Sequence, residues 1–228
     1  MNIQQSKIFE VYEAQMGKRK LLLTKNLVPR EQVYGEKLLR QEGVEFREWV
    51  PERSKLAAAI LNGCSDIKIR KGSTVLYLGA STGTTPSHVS DIVGAEGFVF
   101  AVDFSPRTTR NLVFLCEKRK NMTPILADAN QPLSYIHNLT KADIIYQDVA
   151  QRNQVEIFKK NIDLFLKDKG YALLSLKARS IDARKSSKQV FSEARQQLER
   201  DFNIIDYKIL EPYEKDHCFF IVNRKKQV

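Results

Sequence analysis

The chain has 228 residues, 43% of them hydrophobic and 28% charged, a composition that excludes a disordered, collagen-like or disulfide-scaffold protein. Its 37 Lys and Arg against 27 Asp and Glu leave a net charge of +10, which favours a polyanionic partner such as nucleic acid over an acidic lipid surface, since no amphipathic basic helix is evident. No apolar run approaches the length of a membrane span, and the N-terminus lacks a signal peptide's basic start and apolar middle, so a cytoplasmic protein without a membrane partner is expected.

In chain order, residues 6–49 carry short alternating apolar runs separated by Gly17 and Pro29, which predicts strands and hairpins in a small β-rich module. A boundary near Pro51 divides the chain into this module, residues 1–52, and a larger domain, residues 53–228. Residues 53–62 are strong helix formers that put Leu56, Ala59 and Ile60 on one face. Apolar runs follow at 74–78, 98–102, 124–127 and 143–146, about 20–25 residues apart with helical segments between them, which predicts βαβ units and a largely parallel sheet. A fifth strand is expected at 171–176 after a helix at 154–166, then a polar helix at 187–202 and two closing strands at 204–210 and 218–222. The short link containing Pro212 makes that last pair antiparallel. The fold expected is α/β and Rossmann-like, with a seven-stranded, mostly parallel sheet and an antiparallel last strand. Cys64, Cys116 and Cys218 are odd in number and far apart, as expected of reduced thiols, and their spacing suits no metal site.

The most informative stretch is residues 75–86, a buried strand entering a small-residue turn and then a helix. Gly79 and Gly83 allow close backbone approach to a ligand, and Ser81, Thr82, Thr84 and Thr85 offer hydroxyls. The spacing is GxxxG, so a P-loop is excluded and a dinucleotide site disfavoured, although a tight turn with no ligand has the same pattern. Asp103 closes the second strand, Asp128 follows the third and Asp148 closes the fourth. Any one of these is commonly a helix cap, yet all three fall at the carboxyl edge of the sheet, where such folds bind ligands. The first suits ribose hydroxyls and the second an adenine amine. No basic residue lies in the turn to balance a phosphate, which points to S-adenosyl-L-methionine and a class I methyltransferase.

Residues 46–60 (FREWVPERSKLAAAI), 75–94 (VLYLGASTGTTPSHVSDIVG), 146–151 (YQDVAQ) and 174–182 (LSLKARSID) resemble successive signatures of the fibrillarin family, over almost the whole chain. That family consists of ribose 2′-O-methyltransferases of box C/D guide-RNA particles. With only 10 glycines and no Gly/Arg-rich extension, the likeness is to the archaeal form. Departures are Ser81 and Thr82 for the usual Ala-Ser, Phe46 and Val50 for Tyr and Asn or Asp, and Asp103 for Glu. The resemblance implies cofactor contacts at Thr84, Thr85, Asp103, Phe104, Asp128, Ala129 and Asp148, and at Val149, Ala150 and Gln151. It also implies a catalytic group of Lys55, Asp148, Lys177 and His217, a Lys-Asp-Lys-Glu arrangement with His in the last place. Lys177 would serve as base if burial and the Lys55 charge lowered its pKa, with Asp148 orienting the amines. Lys55 and Lys177 as phosphate contacts, and His217 as a plain edge residue, remain open at this level.

The partners implied are the guide RNA, target rRNA or tRNA, a Nop-type scaffold protein and a kink-turn-binding ribosomal-type protein. Exposed apolar residues on the small module or at 112–115 are expected to dock the scaffold. A non-catalytic particle subunit is the alternative from another class, as is a base or protein methyltransferase. The latter is disfavoured because Asp148, Val149, Ala150 and Gln151 stand where base-amino enzymes place Asn/Asp-Pro-Pro-Tyr/Phe.

Overall fold

The structure is a computed structural model and describes residues 2–225. The first five strands, β1 (Ile3–Gln5), β2 (Val11–Met16), β3 (Arg19–Lys25), β4 (Leu38–Gln41) and β5 (Val44–Glu48), form an antiparallel sheet in the order β1-β2-β3-β5-β4. Strand alternation splits its side chains between two cores. Leu21 and Leu23 face a small cluster with Ile3, Tyr12, Ala14 and Phe46, whereas Leu22 joins Val11 and Trp49 in the large core of the rest of the molecule.

A 3₁₀ turn at Pro51–Arg53 leads to α1 (Lys55–Leu61). The expected helix at 53–62 thus begins two residues later, because Ser54 is its cap and accepts from the Ala57 amide. The Ser54 hydroxyl also receives Trp49 Nε1 at 2.9 Å and Thr85 Oγ1 at 3.0 Å, tying three segments together. One apolar face was expected, yet Leu56 through Ile60 are all buried, since protein packs around α1 on every side.

The second sheet contains β6 (Thr74–Leu78), β7 (Phe98–Asp103), β8 (Met122–Leu126), β9 (Ala142–Gln147), β10 (Leu166–Lys177), β11 (Phe202–Ile209) and β12 (His217–Arg224), in the order β11-β12-β10-β9-β6-β7-β8. The strands from β10 to β8 run parallel, and β12 is inserted antiparallel between β10 and β11. This is the expected Rossmann-like methyltransferase sheet. Pro124 is accommodated because β8 lies at an edge. β10 starts five residues earlier than expected, its first residue pairing with Ala142 across a register shift.

Residues from α1, α2 (Thr84–Val93) and α3 (Pro106–Lys118) contribute to the core on one face of this sheet. Those from α4 (Gln154–Phe165), the short α5 (Ala178–Ile181) and α6 (Ser187–Asp201) contribute to the core on the other. Cys64 and Cys218 are buried, Cys116 is half-buried, and all three are free thiols. No described helix is long and apolar enough to cross a membrane.

A buried ionic network joins the first sheet to α2 and the end of α3. Arg47 donates to Glu36 at 2.6 Å, Asp91 at 2.8 Å and Ser87 at 2.9 Å, and Arg119 reaches the other Asp91 oxygen at 2.6 Å. Thr24 also donates to Asp91, and His88 is bonded at one ring nitrogen to Thr24 and at the other to Tyr34, both at 2.8 Å. Stacked on Trp49, His88 is held well below the ordinary histidine pKa by burial and by the nearby Arg47 and Arg119 charges.

Candidate active site

At the end of β6 the chain turns through Gly79 at φ +85°, where a Cβ would lie 2.1 Å from the Asp148 carbonyl oxygen. Only glycine fits, and its absence of a side chain lets the ends of β6 and β9 abut. Ser81 follows at φ +51° and donates its amide to Asp103 at 2.7 Å. No side chain caps the start of α2, and Thr84, its first residue, is half-buried at the rim. Thr85 is turned inward onto Ser54 and supports the turn from behind.

The three rim aspartates occupy the positions expected of them. Asp103 accepts from the amide of Ser81 and from Ser105 N and Thr108 Oγ1 at 2.9 and 2.8 Å, so it ties the glycine turn to the entry of α3. Beside it Phe104 is 69% exposed. Asp128 accepts from Asn130 N at 2.9 Å and lies within 3.5 Å of Gln151 Nε2, which brings the ends of β8 and β9 to one place. Ala129 is buried, Val149 packs on the core and Ala150 is exposed.

Lys55, the first residue of α1, forms a 2.9 Å ion pair with Asp148 across 93 residues of sequence, each side chain 21% exposed. Burial by itself lowers the Lys55 pKa, but the Asp148 charge and hydrogen bond outweigh it and hold the ammonium above its ordinary range. Lys177 ends β10 directly across from His217, the first residue of β12. Lys177, expected to be buried, is exposed, and its ammonium carries no ion pair among the described residues. The buried group is His217, whose Nδ1 lies 2.6 Å from the Lys215 carbonyl. Burial, with the Lys55 charge, lowers its pKa against the pull of that carbonyl and of Glu214 and Asp148.

Asp216, at φ +59°, holds the turn before His217 through Arg179 and Ser187, both at 2.7 Å. The structure therefore joins Lys55 to Asp148 and Lys177 to His217.

The basic runs at 18–20, 184–185 and 224–226 are largely engaged within the chain. Lys20 pairs with Glu13, Arg19 with Glu48 and Glu52, Arg184 with Asp182 and Lys185 with Glu193. Arg224 and Lys225 donate to backbone carbonyls, and Lys226 lies outside the described residues. Within 112–115, Leu112 belongs to the core, so the apolar surface there is Val113 and Phe114, 40% and 53% exposed.

The fibrillarin family model matches residues 3–226. The chain belongs to the fibrillarin family. A fibrillarin-like rRNA/tRNA 2′-O-methyltransferase of Thermococcus onnurineus is 53% identical over 203 residues, covering 89% of this chain and 90% of that one. The crystal structure of Aeropyrum pernix fibrillarin with natively bound S-adenosyl-L-methionine superposes with a TM-score of 0.90 at 39% identity, covering 97% of this chain and 98% of that one. A fibrillarin in complex with Nop5p gives a TM-score of 0.86 at 42% identity over 96% and 99% of the two chains.

Beyond the resemblance, the structure places beside the site residues others that motif and spacing did not single out. Ser54 carried a signal, a hydroxyl residue directly before strong helix formers. Gln147, Gln154 and Asp216 carried none, because polar residues at element ends ordinarily face water.

Proposed function

We propose that this fibrillarin-family chain transfers the methyl group of S-adenosyl-L-methionine to the ribose 2′-oxygen of rRNA and tRNA, directed by box C/D guide RNA as the catalytic subunit of a ribonucleoprotein particle. The observation that carries the reading is the Lys55 and Asp148 ion pair at the rim, beside an uncapped helix start and two further carboxylates. The rim suits the methyl donor: its carboxylates match hydroxyls, an amine and a sulfonium, and the free N–H groups at the start of α2 match a carboxylate. Gly79, Thr84, Asp103, Phe104, Asp128, Ala129 and residues 148–151 would hold it, with Thr85 bracing the turn. When bound, the donor supplies an electrophilic methyl group.

The protein's own part is to position and deprotonate a weakly acidic sugar hydroxyl. Asp148 keeps Lys55 charged and fixed, with one carboxylate oxygen on that ammonium. Lys55 and Lys177 place positive charge where negative charge grows on the 2′-oxygen. His217, neutral through burial and held at Nδ1 by the Lys215 carbonyl, offers Nε2 as the proton acceptor.

Specificity comes from base pairing with the guide. The fibrillarin and Nop5p complex supports a Nop-type scaffold as partner, and a kink-turn-binding ribosomal-type protein completes the proposed particle. The test supplies labelled S-adenosyl-L-methionine to the reconstituted particle with a ribose target and its 2′-deoxy counterpart. Label is expected on the first alone, and label on both would overturn ribose chemistry.

A further inference from the structure

Among the described residues the Lys177 side chain has no hydrogen-bond or ion-pair partner, so its place is set by its main chain. Strand β9 ends at Gln147, opposite Leu174, and residues 175–177 of β10 have no strand beside them on that side. Gln154 takes the place of the missing strand. Its side-chain amide accepts from Lys177 N–H at 3.0 Å and donates to Lys177 C=O at 3.1 Å, as the N–H and C=O of a facing strand residue would. Gln154 is fully buried as the first residue of α4, and its own carbonyl receives Gln147 Nε2 at 2.7 Å. Since Gln147 immediately precedes Asp148, hydrogen bonds to the main chain and to the side chain of Gln154 connect the strand end that carries the carboxylate to the one that carries the lysine.

We propose that Gln154 is a positioning residue that sets the Lys177 amine relative to Asp148 for methyl transfer, an inference that rests on the function proposed above. The side-chain chemistry is narrow. Asparagine is one methylene too short, and leucine strands a buried N–H and C=O. An ionised glutamate accepts from the N–H but cannot donate to the C=O, whereas a protonated glutamate can do both.

The experiment uses the full chain in the reconstituted particle, comparing wild type with Gln154→Leu and Gln154→Glu for kcat, KM for S-adenosyl-L-methionine and pH profile. Circular dichroism at each pH restricts the comparison to folded protein. Gln154→Leu is expected to lower kcat about 100-fold, the scale of a misplacement near 1 Å, while KM for the donor changes less than about threefold. Gln154→Glu is expected to approach wild type at acidic pH and to fall below it as pH rises and the carboxyl ionises, a dependence that general loosening of the fold does not produce.

The inference is overturned if Gln154→Glu tracks wild type at every pH, or if Gln154→Leu retains kcat within about twofold. Should Gln154→Leu not fold, the pH dependence of Gln154→Glu decides alone. A wild-type particle that transfers no methyl removes the functional reading and this inference with it, whereas active wild type with indifferent Gln154 variants removes only the inference.

Discussion

Two groups of ion pairs in this chain use the same chemistry to opposite ends. Where the first sheet meets α2 and the end of α3, Arg47, Glu36, Asp91 and Arg119 are essentially inaccessible, and hydroxyl and backbone partners complete their hydrogen bonding. At the rim, Lys55 and Asp148 are partly exposed, and the Lys177 ammonium pairs with no carboxylate among the described residues. A buried network gives up reactivity because each charge is consumed by its partners, and it fixes α2 against β3 and β5. The rim keeps charges accessible, where a reacting group can meet them. Burial separates the two histidines in the same way. His88 is bonded at both ring nitrogens, whereas His217 is bonded at Nδ1 alone among the described residues.

The largest effect expected from testing this contrast is on stability. Asp91→Ala strands the buried Arg119 guanidinium and leaves Arg47 with the Glu36 carboxylate alone, and is expected to cost about 4 kcal/mol in denaturant unfolding; a loss below about 1 kcal/mol would make the network dispensable. Asp148→Ala should do the reverse, lowering kcat about 1000-fold, near 4 kcal/mol in barrier, while the unfolding midpoint barely moves. A rate within tenfold of wild type would remove Asp148 from the reacting group.

His217→Gln is expected to lower kcat about 100-fold. In wild type, kcat should rise with pH below the ordinary histidine value of 6.5 and then level off, because the folded pKa is lowered. A variant that keeps this rise would assign the titration elsewhere.

The smallest effect concerns pH and stability. The unfolded chain takes protons on His88 and His217 near pH 6.5 while the folded chain resists them. Stability is therefore complete above that pH and declines as pH falls below it, with a limiting slope of about 1.4 kcal/mol per pH unit for each histidine that stays neutral in the folded chain. Urea midpoints between about pH 7 and 5 measure the slope, and His88→Gln should flatten it; an unchanged slope would show that His88 does not contribute.

Strand positions were legible because buried strands between amphipathic helices leave continuous apolar runs, as at Thr74–Leu78 and Phe98–Asp103. The misjudged boundaries lie where local preference meets a tertiary contact. Ser54 was placed inside the expected helix at 53–62 although its hydroxyl marks a cap, and it anchors Trp49 and Thr85, while Leu112 reads as surface but packs into the core. In the site, the turn and the three aspartates could be read from their places at strand ends. The state of Lys177 could not, because exposure depends on what covers a residue, and nothing in the sequence near Lys177 records what covers it.

By itself the sequence determined the two-part β and α/β organisation, the succession of strands and helices along the chain and the residue types at the sheet's carboxyl edge, all carried by periodicity, turn chemistry and motif spacing. Only the tertiary structure decided that Lys55 meets Asp148, that His217 and not Lys177 is buried, and that Gln154 completes the edge of β10. Those outcomes depend on burial and on contacts between residues far apart in the chain, which local patterning does not encode.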